Sequence, residues 1–236
     1  MIPLHDDNPT ERFAFLTVIL IAINAAVFFL WQVGGVGMEQ SIRLAGFTPS
    51  DFRAGGYVAE GRNIFTSMFM HGGLMHLVGN MWFLWLFGNN IEDRCGKFRF
   101  VVFYLLCGAI ATMVYTLFNA GSKIPLVCAS GAISGVLGAY LVTYPHARIL
   151  TLVPLGIFSR TFRLPAWMFL FVWIGFQLLN QAAMAASREG ERGGVAFLAH
   201  IAGFIAGVTL IFPFRRPRKA QLRRHRMWSP GDQEDR

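Results

Sequence analysis

The sequence predicts an all-α, polytopic membrane protein. The expected form is a six-transmembrane-helix bundle over residues 1–214, followed by a basic cytoplasmic tail over residues 215–236 that is partly disordered. Three observations lead there. The chain is 54% hydrophobic with a mean hydropathy of +0.47, it is only 14% charged, and its apolar residues form six runs long or nearly long enough to span. So apolar and charge-poor a composition does not suit a water-soluble domain.

The first run, residues 13–33, is as long as a full span needs. It lacks a basic leader and has no small-residue cleavage site behind it, so it reads as a retained helix. Residues 34–63 form a loop rich in glycine and in both charge signs, long for a connection within a bundle. The second, third, fifth and sixth runs occupy residues 64–88, 98–119, 164–186 and 194–214. The fourth, residues 130–144, ends at Tyr144-Pro145 and at 1.5 Å per residue covers ~22 Å of a ~30 Å core.

An even number of spans puts both termini on one side, and 15 of the 21 Lys and Arg then fall on that side. The positive-inside bias makes it the cytoplasmic side and puts the 34–63 loop outside. Seven of the 21 crowd into residues 215–226, directly after an apolar run. That placement fits a juxtamembrane segment held near anionic headgroups and argues against nucleic acid as a partner. The lipid bilayer is the expected surrounding, and a bacterial inner (plasma) membrane the expected setting. Cys95, Cys107 and Cys128 show no spacing of a metal knuckle or disulfide framework.

No Asp, Glu or Lys lies in the six runs, so the polar residues within them stand out: His71, His76, Asn80, Ser130, Ser134 and His200. Ionisable groups at membrane depth are costly and point to function. Ser130 opens the short fourth run, and His200 lies about 9 Å inside the sixth if the helix starts at Gly194, so the two meet at one depth. His76 and Asn80 are four apart and share a helix face. Gly131, Gly135 and Gly138 on the fourth run, with Gly203 and Gly207 on the sixth, allow the close approach that helices in lipid need.

A serine hydroxyl becomes a nucleophile when a neighbouring base takes its proton, and neutral imidazole is the usual base near neutral pH. Ser130 and His200 are the candidates for these roles. His76, Asn80 and the backbone N–H of Ser130 are candidate donors to the oxyanion of an acyl transfer. No carboxylate completes a triad, so packing and hydrogen bonds must orient His200, with Ser134 one turn after Ser130 as a candidate. Metal catalysis fits poorly. His71 and His76 would diverge by ~140° on a regular helix, and the runs hold no Asp or Glu to ligate or act as base. No cofactor and no metal is expected.

These residues resemble the rhomboid family of intramembrane serine proteases over residues 63–213. The likeness rests on His71-Gly-Gly-Leu-Met-His76-Leu-Val-Gly-Asn80, on Ala129-Ser130-Gly131-Ala132-Ile133-Ser134-Gly135 and on Ala199-His200-Ile201-Ala202-Gly203, in that order along the chain. The resemblance implies a six-helix serine endopeptidase with a Ser130–His200 dyad and no third member, acting through an acyl-enzyme on transmembrane segments of other membrane proteins. It makes His76 and Asn80 oxyanion donors, His71 a residue shaping the cavity near the gate, and Glu92 a structural glutamate. It also makes the first outer loop partly submerged and the fifth span a mobile gate.

Two positions depart from the family pattern. Cys128 stands where the motif before the serine usually has glycine, which would strain the backbone if φ there were positive. The Trp-Arg pair often found before the second span is absent, with Arg62-Asn63 nearby, a departure that bears on the anchoring of the first loop and not on the dyad. The alternative function is a non-catalytic rhomboid-like pseudoprotease that binds membrane proteins. A transporter is disfavoured because no run carries an acidic relay.

Overall fold

The computed structural model of the chain describes residues 1–155, 158–187 and 196–216. After strand β1 (Ile2–Asp6), helix α1 (Phe15–Ala26) runs on through wider π-type turns over Val27–Val33, making the first apolar run one rod. Glu92, buried and distant in sequence, caps that rod. Its carboxylate accepts from the N–H groups of Leu16 and Thr17 at 3.0 and 2.7 Å and from the Thr17 hydroxyl at 2.9 Å. An anion there pairs otherwise orphaned N–H donors and meets the positive end of the helix dipole.

The long loop that follows is itself folded, into α2 (Met38–Ala45), α3 (Pro49–Arg53) and α4 (Tyr57–Thr66). Where the Trp-Arg pair is missing, Glu60, Asn63 and Thr66 tie the loop down. The buried Glu60 accepts from the Thr48 N–H at 2.7 Å and from the Asn63 amide at 3.3 Å, and the Thr66 hydroxyl donates to the Ala45 carbonyl at 2.8 Å.

The second apolar run is not one helix over residues 64–88. A single 3-10 turn (Ser67–Phe69) follows α4, the chain extends at Met70, and α5 (Leu74–Cys95) starts only after Gly72-Gly73. Adjacent glycines lose the most backbone freedom in a helix, and their position sets the break. At Gly96, φ +85°, a left-handed residue turns the chain into α6 (Lys97–Phe118). Helix α7 (Ala129–Thr143) is short, apolar and buried along most of its length, with α8 (Ala166–Ser187) and α9 (Phe197–Phe214) completing the helices around it. The core packs Phe87, Phe103, Tyr104, Leu137, Tyr140 and Phe204 about α7.

The expectation of an all-α chain needs correction, because β1, β2 (Arg148–Leu155) and β3 (Phe158–Pro165) form a three-stranded antiparallel sheet in that order. Ile149 and Thr151 are buried on one face of β2, the period of two that a strand requires. Below the sheet, the buried Asp6 carboxylate accepts from the Tyr140 hydroxyl at 2.8 Å and from the Asn90 amide at 2.7 Å, fastening β1 to α7 and α5.

The fold is thus mostly helical. Four of the described helices are long and apolar enough to cross a membrane, over Phe15–Val33, Lys97–Phe118, Ala166–Ala183 and Phe197–Phe214. Of the other two expected spans, α7 has only 15 residues and α5 ends in the charged stretch Glu92-Asp93-Arg94. The basic tail beyond residue 216 lies outside the described residues.

Candidate active site

Ser130 is the second residue of α7, and His200 stands in the first turn of α9. The helices run side by side in the same direction, Gly203 against Gly131 and Gly207 against Gly135, so closely that a Cβ on either α9 glycine would overlap the facing carbonyl oxygen. That contact between bare backbones draws the two N-terminal turns together. Ser130 Oγ lies 2.7 Å from His200 Nε2, a hydrogen bond between helices 70 residues apart in sequence. His200 is only 9% exposed, and Ser130 is half-buried.

The imidazole is held on its other sides as well. Nδ1 lies 2.8 Å from Gln177 Oε1 on α8. The Trp173 ring lies beside it at 6.3 Å between centroids and 31° between planes, and Phe197 meets it edge-on at 6.2 Å. Ser134 is not among the hydrogen-bond partners of His200. Its hydroxyl donates to the Ser130 carbonyl at 2.6 Å, the bond to the preceding turn that a serine inside a helix commonly makes.

Beside the pair opens a cavity of about 200 Å³, lined by Met75, His76, Asn80, Ser130, Ser134, Trp173, Gln177 and His200 among others. Helix α5 brings His76 and Asn80 to it one turn apart. The buried Asn80 Nδ2 has no hydrogen-bond partner among the described residues, so a donor faces the cavity unused. His76 is half-buried, and its Nδ1 accepts from the Gly72 N–H at 3.3 Å.

His71 lies behind His76 and does not line the cavity. It sits in the extended stretch before α5, so the helical divergence of ~140° expected between the two does not apply; their rings meet edge-on at 5.4 Å. The backbone of His71 is clamped by Gln32 of the α1 rod, whose amide donates to the His71 carbonyl and accepts from its N–H, both at 3.0 Å.

Gly131 has no room for a side chain, since a Cβ there would come within 2.7 Å of Cys128 Sγ and 2.8 Å of Ala111 Cβ. Cys128 itself has φ −121°, so the side chain that replaces the motif's glycine meets no left-handed strain. Its buried Sγ sits 3.8 Å from the Gly108 carbonyl.

Gln177 and Gln32 escaped notice in the sequence although the signal was there. Each is an uncharged polar residue inside an apolar run, as conspicuous as Asn80. With an acceptor on one imidazole nitrogen, a hydroxyl on the other and an unpaired amide donor across a small cavity, the arrangement has the parts of an acyl-transfer site.

Comparison with known proteins gives the context of that arrangement. The sequence model of the rhomboid domain family matches residues 59–217. Rhomboid protein 1, mitochondrial, of Saccharomyces cerevisiae is 30% identical over 197 residues, which cover 82% of this chain and 51% of the relative. Rhomboid protease GluP of Bacillus subtilis is 29% identical over 202 residues, covering 84% of the chain and 35% of the relative. Presenilin-associated rhomboid-like protein A, mitochondrial, of Danio rerio is 29% identical over 218 residues, covering 90% and 53%. The chain thus spans about a third to a half of the length of these relatives.

Proposed function

The chain belongs to the rhomboid family, and from that premise we propose that it is an intramembrane serine endopeptidase cutting peptide bonds in or near transmembrane segments of other membrane proteins. The single observation that carries the reading is the 2.7 Å contact between Ser130 Oγ and His200 Nε2 at the wall of a cavity. Ser130 Oγ attacks the scissile carbonyl carbon while its proton passes to His200 Nε2. The oxyanion is met by Asn80 Nδ2, by His76 and by the Ser130 N–H, one of the unpaired donors at the start of α7. His200 then returns the proton to the leaving amine as the C–N bond breaks, leaving Ser130 acylated. Water, deprotonated by His200, attacks the ester, and the proton goes back to Ser130 as the acid leaves.

In this reading α5 and α7 complete six spans with the four longer helices, and residues 1–214 form the protease domain with residues 215–236 as its basic cytoplasmic tail. Partners are transmembrane substrates within the lipid bilayer. The relatives compared include mitochondrial proteins as well as a bacterial one. The protein is thus an integral, multi-pass membrane protein, and relatives from mitochondria as well as a bacterium do not single out the bacterial inner membrane expected from sequence. The non-catalytic alternative drew on Cys128, and its φ of −121°, free of left-handed strain, supports the catalytic reading.

The test is the purified protein in liposomes with a transmembrane reporter, together with a fluorophosphonate probe. Wild type cleaves the reporter and is labelled on Ser130, while Ser130→Ala and His200→Ala do neither. Cleavage that survives in both variants refutes the assignment.

A further inference from the structure

Helix α8 runs from Ala166 to Phe176 without a carboxyl, amide or hydroxyl side chain, and then places Gln177. Of its membrane-length stretch Ala166–Ala183, 17% is buried in the protein, against 28% for Phe15–Val33 and 44% for both Lys97–Phe118 and Phe197–Phe214. A primary amide in such surroundings is costly unless its polar atoms are paired. Asn180, three residues on, returns its amide to the Phe176 carbonyl at 2.7 Å. Gln177 does something different, reaching across to α9 to put Oε1 2.8 Å from His200 Nδ1.

An amide oxygen has no proton to give, so the hydrogen in that contact belongs to His200 Nδ1. In the neutral ring the lone pair then lies on Nε2, the atom 2.7 Å from Ser130 Oγ. Trp173, one turn before Gln177 on the same face of α8, adds its ring to the side of the imidazole. One helix therefore supplies both a proton acceptor and a flat apolar wall to a histidine carried by another.

We propose that Gln177 is a positioning residue for His200. It accepts the Nδ1–H, fixes the tautomer whose Nε2 is free to take the Ser130 proton, and makes α8 a fourth helix of the site beside α5, α7 and α9. The role filled in other serine hydrolases by a carboxylate is filled here by a neutral amide, which orients the ring without bringing a charge into the membrane. The inference rests on the protease reading for its consequence in rate, but the tautomer itself is measurable without activity.

The experiment uses full-length protein labelled with ¹⁵N-histidine, the His200 resonances being those absent from His200→Gln. Wild type shows the Nδ1–H tautomer. Gln177→Leu, similar in bulk but without an acceptor, loses that preference and lowers kcat on the reporter about tenfold with KM within about twofold. Gln177→Glu keeps an acceptor, so it retains the Nδ1–H tautomer and a rate within about threefold of wild type.

An Nε2–H tautomer in wild type overturns the proposal, whatever the variants do. So does a folded Gln177→Leu with unchanged tautomer and kcat. Should wild type neither cleave the reporter nor accept the fluorophosphonate, the protease reading fails, whereas an Nδ1–H signal that Gln177→Leu abolishes still supports the positioning contact.

Discussion

The carbonyl oxygen of Gly131 faces the α-carbon of Gly203 so closely that a single methyl group on Gly203 would overlap it, and Gly135 repeats the relation with Gly207. Both partners are backbone, so no side chain can turn aside, and the strain of an added methyl must move a helix. Gly203→Ala is therefore expected to destabilise the protein by about 1–3 kcal/mol or more, as overpacking does. It also pushes His200 away from Ser130, and a displacement near 1 Å costs roughly a hundredfold in rate. Thermal unfolding and the rate of fluorophosphonate labelling measure the two effects. The control is Gly61→Ala in α4, where a Cβ would meet nothing within 4 Å: labelling stays at the wild-type rate, and stability matches or slightly exceeds wild type because alanine suits a helix better than glycine. Equal behaviour of the two variants would show that the glycine contact does not set the Ser130–His200 distance.

Asn80 gives a prediction of the opposite kind. Its Nδ2 is buried beside Ser130 and lacks a partner among the described residues, a cost in the resting protein that an oxyanion would relieve. Asn80→Ala should lower kcat about 10²-fold, the usual effect of losing one oxyanion donor. Its unfolding temperature should match or exceed that of wild type. A variant that loses stability in step with activity would make Asn80 a packing residue instead.

Asp6 links stability to pH. Burial raises its pKa above the ordinary 3.8, against the opposing effect of the hydrogen bond from Tyr140. The folded pKa being the higher one, the unfolded chain loses its proton first as pH rises. Stability from this group is full below about pH 3.8 and is lost as pH climbs through the raised folded pKa. Asp6→Asn keeps an oxygen for the Tyr140 and Asn90 donors and removes the buried charge. The variant should thus be as stable as wild type or more so at pH 7, and the difference should shrink as the pH is lowered toward 4. Melting curves at the two pH values decide it; a variant much weaker at pH 7 would mean that the charge itself holds β1 in place.

How much of this was legible in the sequence follows the range of the interactions. Ser130, His200, His76 and Asn80 were visible because polar groups in apolar runs are rare, and the glycines that bring α7 to α9 were visible as periodic small residues. Hydropathy alone could not show where the second run stops being membrane helix. It counts Ile64 to Met70 as readily as α5, while the Gly72-Gly73 pair decides where that helix begins. The sheet was missed because β1 and β2 lie some 140 residues apart, and Ile149 and Thr151 alternate over too short a stretch to stand against the six apolar runs. Likewise the partner of His200 Nδ1 depends on how α8 is rotated about its axis, which no local pattern fixes.

Cys128 tests whether the glycine of the family motif is needed at this position. Glycine is obligatory where φ is positive or where another backbone approaches too closely, and neither condition holds: φ is −121°, and the buried thiol fills space beside Gly131 and the Gly108 carbonyl. Cys128→Gly would remove that sulfur from a packed interior and loosen the residue that precedes α7. It should destabilise the protein by about 1–2 kcal/mol, from the lost packing and the added chain entropy of glycine. The α7–α9 contact that brings Ser130 to His200 is made by the backbones of Gly131, Gly135, Gly203 and Gly207 and not by the Cys128 side chain, so reporter cleavage at a temperature well below the melting transition should stay within about twofold of wild type. A Cys128→Gly variant that cleaves many times faster would show that the side chain hinders the substrate, and that the cavity beside Ser130 is narrower than turnover requires.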